Sequence, residues 1–106
     1  MIDRYILSLD PAQLRDYSAL SAVRMRYDKV CRKVLYDLVN MERRQRIGYD
    51  EIVQWASAAY NTPDFHYRSL EPPLCLLDAT GPGLALRDMF RLNGIRVVPI
   101  MITSGQ

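Results

Sequence analysis

Two aspartates in this 106-residue sequence stand where paired acids can do chemistry. Asp10 closes the apolar run Tyr5-Ile6-Leu7-Ser8-Leu9 and is followed by Pro11. Asp78 closes Leu74-Cys75-Leu76-Leu77 and is followed by Ala79-Thr80-Gly81-Pro82-Gly83. Each run reads as a strand. The first is stopped by proline, and the second lacks polar alternation, which predicts a strand covered on both faces. If the two strands are parallel neighbours, roughly 4.8 Å apart, their C-terminal ends bring both carboxylates to one sheet edge. Such acids repel each other without a cation, and hard divalent ions such as Mg²⁺ take oxygen ligands. Two such ions about 4 Å apart can clamp the attacking and leaving oxygens of a phosphodiester. The plainer reading is that Asp before a glycine turn forms the turn or caps the next helix.

The elements that must position these acids follow from the hydrophobic pattern. Residues 5–9 read as the first strand and 10–17 as a polar loop. Residues 18–27 read as a second strand, with Ala19, Val23, Met25 and Tyr27 on one side and Arg24 and Arg26 on the other. Residues 30–42 read as a third, with Val30, Val34, Tyr36 and Leu38 on one face, joined to the second by a hairpin at Asp28-Lys29. The period then changes. Ile52, Val53, Ala56, Ala59 and Tyr60 share one face of an amphipathic helix that begins near Asp50-Glu51 and ends at Asn61-Thr62-Pro63. A loop carrying Pro72-Pro73 leads to the fourth strand. A second helix runs from Leu84 to Asn93, with Leu86, Met89 and Phe90 inward and Gly94 as its C-terminal cap, and Ile95–Ile102 form the fifth strand. The order βββαβαβ predicts one ribonuclease-H-like α/β domain over residues 1–106, a five-stranded mixed sheet in the order 3-2-1-4-5 with two helices and right-handed crossovers. A plain Rossmann-like sheet would open with βαβ, which the first 45 residues do not support.

Composition narrows the function classes. The apolar share is 49 %, the charged share 25 % and the net charge +2, ordinary values for a globular protein. No apolar run approaches the roughly 20 residues that span a bilayer, and Asp3 stands where a signal peptide wants a basic lead, so a cytoplasmic protein with no membrane partner is expected. The charge is uneven: residues 24–46 hold eight basic and three acidic side chains, and twelve of the fourteen basic residues of the chain are Arg. Arginine matches phosphate with a fork that lysine lacks, so Arg24, Arg26, Arg43, Arg44 and Arg46 are candidate contacts to a DNA backbone. Equally, Arg stems can cover apolar surface on a solvated strand face.

The remaining reactive types read blandly. Cys31 and Cys75 form no C-x-x-C pair and are expected to be buried reduced thiols. His66, the only histidine, falls in a loop away from both acids. Trp55 is expected at the core edge, and Asp88 to face solvent or pair with Arg91. Residues 10–18 contain no glycine, so the phosphate hairpin of an actin-like ATPase, and with it a nucleotide, is not expected.

Leu76-Leu77-Asp78-Ala79-Thr80-Gly81-Pro82-Gly83, a helix, and then Val97-Val98-Pro99-Ile100-Met101-Ile102-Thr103-Ser104-Gly105 resemble the nuclease domain of phage terminase large subunits. So do Tyr5–Asp10 followed by Asp16-Tyr17-Ser18-Ala19-Leu20, and the link Glu42–Val53. The resemblance covers essentially the whole chain in order, and Asp78–Gly83 is its most specific part. It implies a Mg²⁺- or Mn²⁺-dependent endonuclease used in viral DNA packaging, with a phage or prophage origin. Asp10 and Asp78 match the family's catalytic metal ligands, and Asp16 its loop acid. The chain departs from the pattern in three respects. Asp10-Pro11-Ala12 replaces the family's Asp-x-Gly, the sequence ends before the family's further acid, and no Gly-x-x-x-x-Gly-Lys-Ser/Thr motor loop is present. An incomplete nuclease, weak or inactive on its own, is therefore expected. The alternative is a non-catalytic interaction module or remnant with the same fold, for which a free edge strand or an uncovered sheet face offers a homodimer contact.

Overall fold

The first strand, β1 (Arg4–Asp10), alternates strictly: Tyr5, Leu7 and Leu9 are buried, while Arg4, Ile6 and Ser8 are only partly covered. That period of two fixes which face meets the helices. The structure is a computed structural model and describes residues 3–11, 17–67, 69, 71–81 and 83–101. β2 (Tyr17–Asp28) runs antiparallel to β1 and buries Ser18, Leu20 and Ala22. β3 (Lys33–Gln45) pairs antiparallel with β2. After α1 (Tyr49–Tyr60) and the short α2 (Pro63–Tyr67), β4 (Leu74–Asp78) pairs parallel with β1. α3 (Gly83–Leu92) then leads to β5 (Val97–Ile100), parallel to β4. The sheet is mixed, with the order β3-β2-β1-β4-β5, as the pattern predicts.

The core lies on one face. Leu7, Leu9, Leu20 and Leu77 meet Ile52, Val53 and Ala56 of α1 and Leu86 and Phe90 of α3, and Phe65 of α2 packs against the same cluster. Ile52, Leu77 and Leu86 have no exposed surface. The opposite face carries no helix among the described residues. Gly94, with φ +75°, ends α3 in the left-handed conformation expected of a glycine cap. No helix among the described residues is long and apolar enough to cross a membrane.

Several expectations change. There are three helices, not two, because Pro63 starts α2 inside the stretch read as loop; Pro suits a first helical position, where no N–H is needed. β4 is covered on one face only: Cys75 and Leu77 are buried, whereas Leu74 and Leu76 are half-buried on the helix-free face. The hairpin turn occupies Lys29–Arg32, held by Asp28 Oδ1 accepting from the Val30 and Cys31 N–H groups at 2.8 and 3.0 Å, and Arg32 takes φ 58°. Val30 is thus in the turn, 94 % exposed, and not on the face of β3. Cys31 is exposed in the same turn; only Cys75 is buried, which pushes its thiol up to about 11 and leaves it inert. Trp55 is buried, not at the edge, and its Nε1 donates to Glu42 at 3.3 Å.

Candidate metal site

The parallel register places Leu9 of β1 opposite Leu77 of β4. The next residue on each strand is Asp10 and Asp78. They share a rung and the parity of Ser8 and Leu76, so both carboxylates lie on the helix-free face. The rung extends through the whole sheet: Ile100 is opposite Asp78, Ala19 opposite Asp10, and Arg43 opposite Ala19. Two strand spacings, roughly 10 Å, therefore separate Asp10 from Arg43 on one face.

The electrostatics agree with this placement. The Asp10 carboxyl is held above the usual carboxylate range, first by partial loss of hydration, then by the charge of Asp78 and by a hydrogen bond between the two side chains. Asp78 Oδ1 also accepts from the Thr80 N–H at 2.9 Å, which turns the chain out of β4. The Ala79 N–H donates to the Ile100 carbonyl at 2.8 Å and ties the end of β5 to the same corner. α3 starts close beneath this turn: a Cβ on Gly83 would collide with the Asp78 carbonyl, so only glycine fits there. A depression of about 250 Å³ opens on this face, lined by Ser8, Asp10, Ala19, Met41, Asp78 and Ile100 among others.

Asp16 lies outside the described residues. Among the described residues no three acids, histidines or cysteines gather at one point. His66 is exposed on α2, its Nε2 2.8 Å from the Tyr60 carbonyl oxygen, and belongs to a different part of the molecule. Asp88 is exposed, with Arg87 Nε 4.0 Å from its Oδ1.

The five arginines do not form one surface. Arg24 and Arg26 sit on the helix side of β2, and both donate to Asp37 Oδ2, at distances of 3.2 to 3.4 Å. That pairing holds the Asp37 carboxyl below its ordinary range. Arg44, also on the helix side, stacks over Trp55 at 4.9 Å. Arg46 follows β3 with φ 59° and is exposed. Arg43 alone shares face and rung with the two aspartates, stacked over Tyr17 at 4.7 Å. A second basic group escaped the sequence reading: Arg87, Arg91 and Arg96 line one open groove beside β5. Its only sequence signal is the i, i+4 spacing of the first two, which puts them on one side of α3.

No protein-family model matches this sequence, and comparison with curated proteins finds no relative.

Proposed function

We propose that this chain is a ribonuclease-H-like domain, similar to the nuclease domain of phage terminase large subunits, that binds Mg²⁺ or Mn²⁺ through Asp10 and Asp78 and acts on a DNA backbone. The observation that supports this most directly is the shared rung of two carboxylates at the ends of adjacent parallel strands. Their donor set fits a hard divalent ion: oxygen ligands only, mutually repelling, and open enough to leave several waters in place. When bound, the ion would supply a Lewis acid and a template for in-line attack on a phosphodiester. The chain's own residues do the rest. Asp10 and Asp78 hold the ion, Thr80 N–H fixes the Asp78 carboxylate, and Arg43 offers a guanidinium to a phosphate on the same face.

Among the described residues two carboxylates stand at this site, and two hold a second ion poorly, which sets a slow rate in this reading. A second reading, a non-catalytic interaction module, is favoured by the apolar side chains that the helix-free face exposes.

Titration with Mn²⁺ in a calorimeter separates the two. The wild type is expected to bind Mn²⁺, and a folded Asp78→Asn variant to lose most of that affinity. No heat of binding in the wild type would remove the metal site and leave the interaction module.

A further inference from the structure

The hairpin of β2 and β3 extends beyond β1, whose pairing with β2 stops at Arg4 opposite Met25. On this ribbon the polarity is reversed relative to the sheet core. Its helix-side face carries Arg24 and Arg26 with Asp37 and Asp28, two cations and two acids that pair with one another. Its other face is a ladder of three uncharged cross-strand pairs, Val23–Leu38, Met25–Tyr36 and Tyr27–Val34; the first two continue onto β1 at Ile6 and at Arg4, whose guanidinium is 3.2 Å from Glu71. Tyr36 and Leu38 keep 63 % of their surface exposed, Tyr27 50 % and Val34 48 %.

We infer that this face is the contact surface of a symmetric dimer, its occupant the same ladder of a second copy. The area supports this. Aromatic side chains such as Tyr27 and Tyr36 bury roughly 150–250 Å² each when fully covered, and the aliphatic ones somewhat less. With Met41, 58 % exposed on the same face of β3, the patch offers on the order of 600 Å². That is the upper end of the largest apolar patch on a typical monomer and close to the ~800 Å² per partner of a standard interface. Charge argues for the identity of the occupant. At the ladder itself a nucleic acid would need unpaired cations, whereas Arg4 beside Met25 is paired with Glu71, and an acidic or basic partner would need an opposite charge. An uncharged flat ladder meets a copy of itself without leaving a buried charge unpaired. A two-fold axis lying between the two ribbons, parallel to their faces, turns the same ladder of each copy toward the other, and stacked sheets about 10 Å apart interdigitate such side chains. The tyrosine hydroxyls would reach the wet rim. Met25 is six positions along β2 from Ala19 of the aspartate rung, roughly 20 Å, so the ladder itself lies away from Asp10 and Asp78, and Met41 at its inner end borders the depression beside them.

Sedimentation equilibrium of the full chain tests this, with reductant present because Cys31 is exposed in the adjoining turn. The wild type is expected to show a concentration-dependent monomer–dimer equilibrium. Leu38→Glu and, separately, Tyr36→Lys are expected to weaken it at least roughly tenfold, the scale of a hot-spot residue. Leu92→Glu, at an 88 % exposed position at the end of α3, is the control and leaves it unchanged. Circular dichroism verifies that each variant is folded. A wild type that stays monomeric up to submillimolar concentration overturns the proposal. So does a dimer that both folded ribbon variants leave intact, or one that the control weakens equally. None of these outcomes bears on Mn²⁺ binding at Asp10 and Asp78.

Discussion

Asp10 is unfavourable to the apo fold in a way that can be measured. Its pKa is raised in the folded chain, so the folded state binds the proton more readily than the unfolded state does. Stability that is present below the unfolded pKa is lost as pH rises through the folded one. Asp10→Asn is therefore expected to be more stable than the wild type at neutral pH without divalent cations. The gain is under about 1 kcal/mol, since solvent screens an exposed pair. It should disappear at acid pH, where Asp10 is protonated in both states. Mn²⁺ should reverse the order, because it stabilises only the chain that keeps both ligands. Urea midpoints across pH, with and without Mn²⁺, check this, and an Asp10→Asn chain less stable at neutral pH in the absence of cation contradicts it. The two acids were legible in the sequence because each closes an apolar run. Pro11 marks the end of one strand, and the glycine turn marks the end of the other. Arg43 was not legible as their companion. Its placement depends on a register shift in the β2–β3 ladder, where Ala22 pairs with Asn40 but Val23 with Leu38, leaving Val39 as an extra residue. Without that bulge Ala19 would face Glu42, and the aspartate rung would end in an acid instead of a guanidinium.

At the scale of elements, the turn between β4 and α3 sets the geometry of Asp78. Gly81 takes φ +76°, and Gly83 lies against the Asp78 carbonyl, so the two glycines answer different needs, a left-handed turn and a close approach. Gly83→Ala is expected to destabilise the protein by about 1–3 kcal/mol, because backbone must move to admit the methyl group. Gly48→Ala, just before α1 with open space around it, is expected to stay within roughly 0.5 kcal/mol. Denaturant midpoints of the two variants decide; equal values would mean that the turn yields without cost. The sequence indicated this turn well, since Thr80-Gly81-Pro82-Gly83 is punctuated densely. It misled about β4, whose run Leu74-Cys75-Leu76-Leu77 reads as buried on both faces. Leu74 and Leu76 are half-buried on a helix-free face, and an apolar run cannot tell that case from a sheet layered on two sides. The short α2 was missed for a related reason: five residues contain no full hydrophobic period.

For the molecule as a whole, a one-sided core predicts an uneven distribution of stability. β1 is paired on both edges and contributes Leu7 and Leu9 to the core, and β4 contributes Leu77 with no exposed surface. β3 has a partner on one edge only, and its side chains are mostly exposed. Opening β3 breaks one ladder and uncovers little apolar surface, whereas opening β1 or β4 requires the helices to leave the sheet. Local opening free energies range from near zero at frayed edges up to the full unfolding free energy in the core. Native-state hydrogen exchange should therefore find its slowest amides at Leu7, Leu9 and Leu77, exchanging through global unfolding with a denaturant dependence equal to that of the whole domain. Amides of β3 should exchange through local opening, with little denaturant dependence. The ladder proposed as a dimer contact adds a second condition. Stacking two ribbons face to face leaves the outer edge of β3 open, so its outward amides remain fast at every concentration, while those bonded to β2 slow as the dimer forms. Slow exchange at the outward amides would instead mean that the copies pair edge to edge through β3.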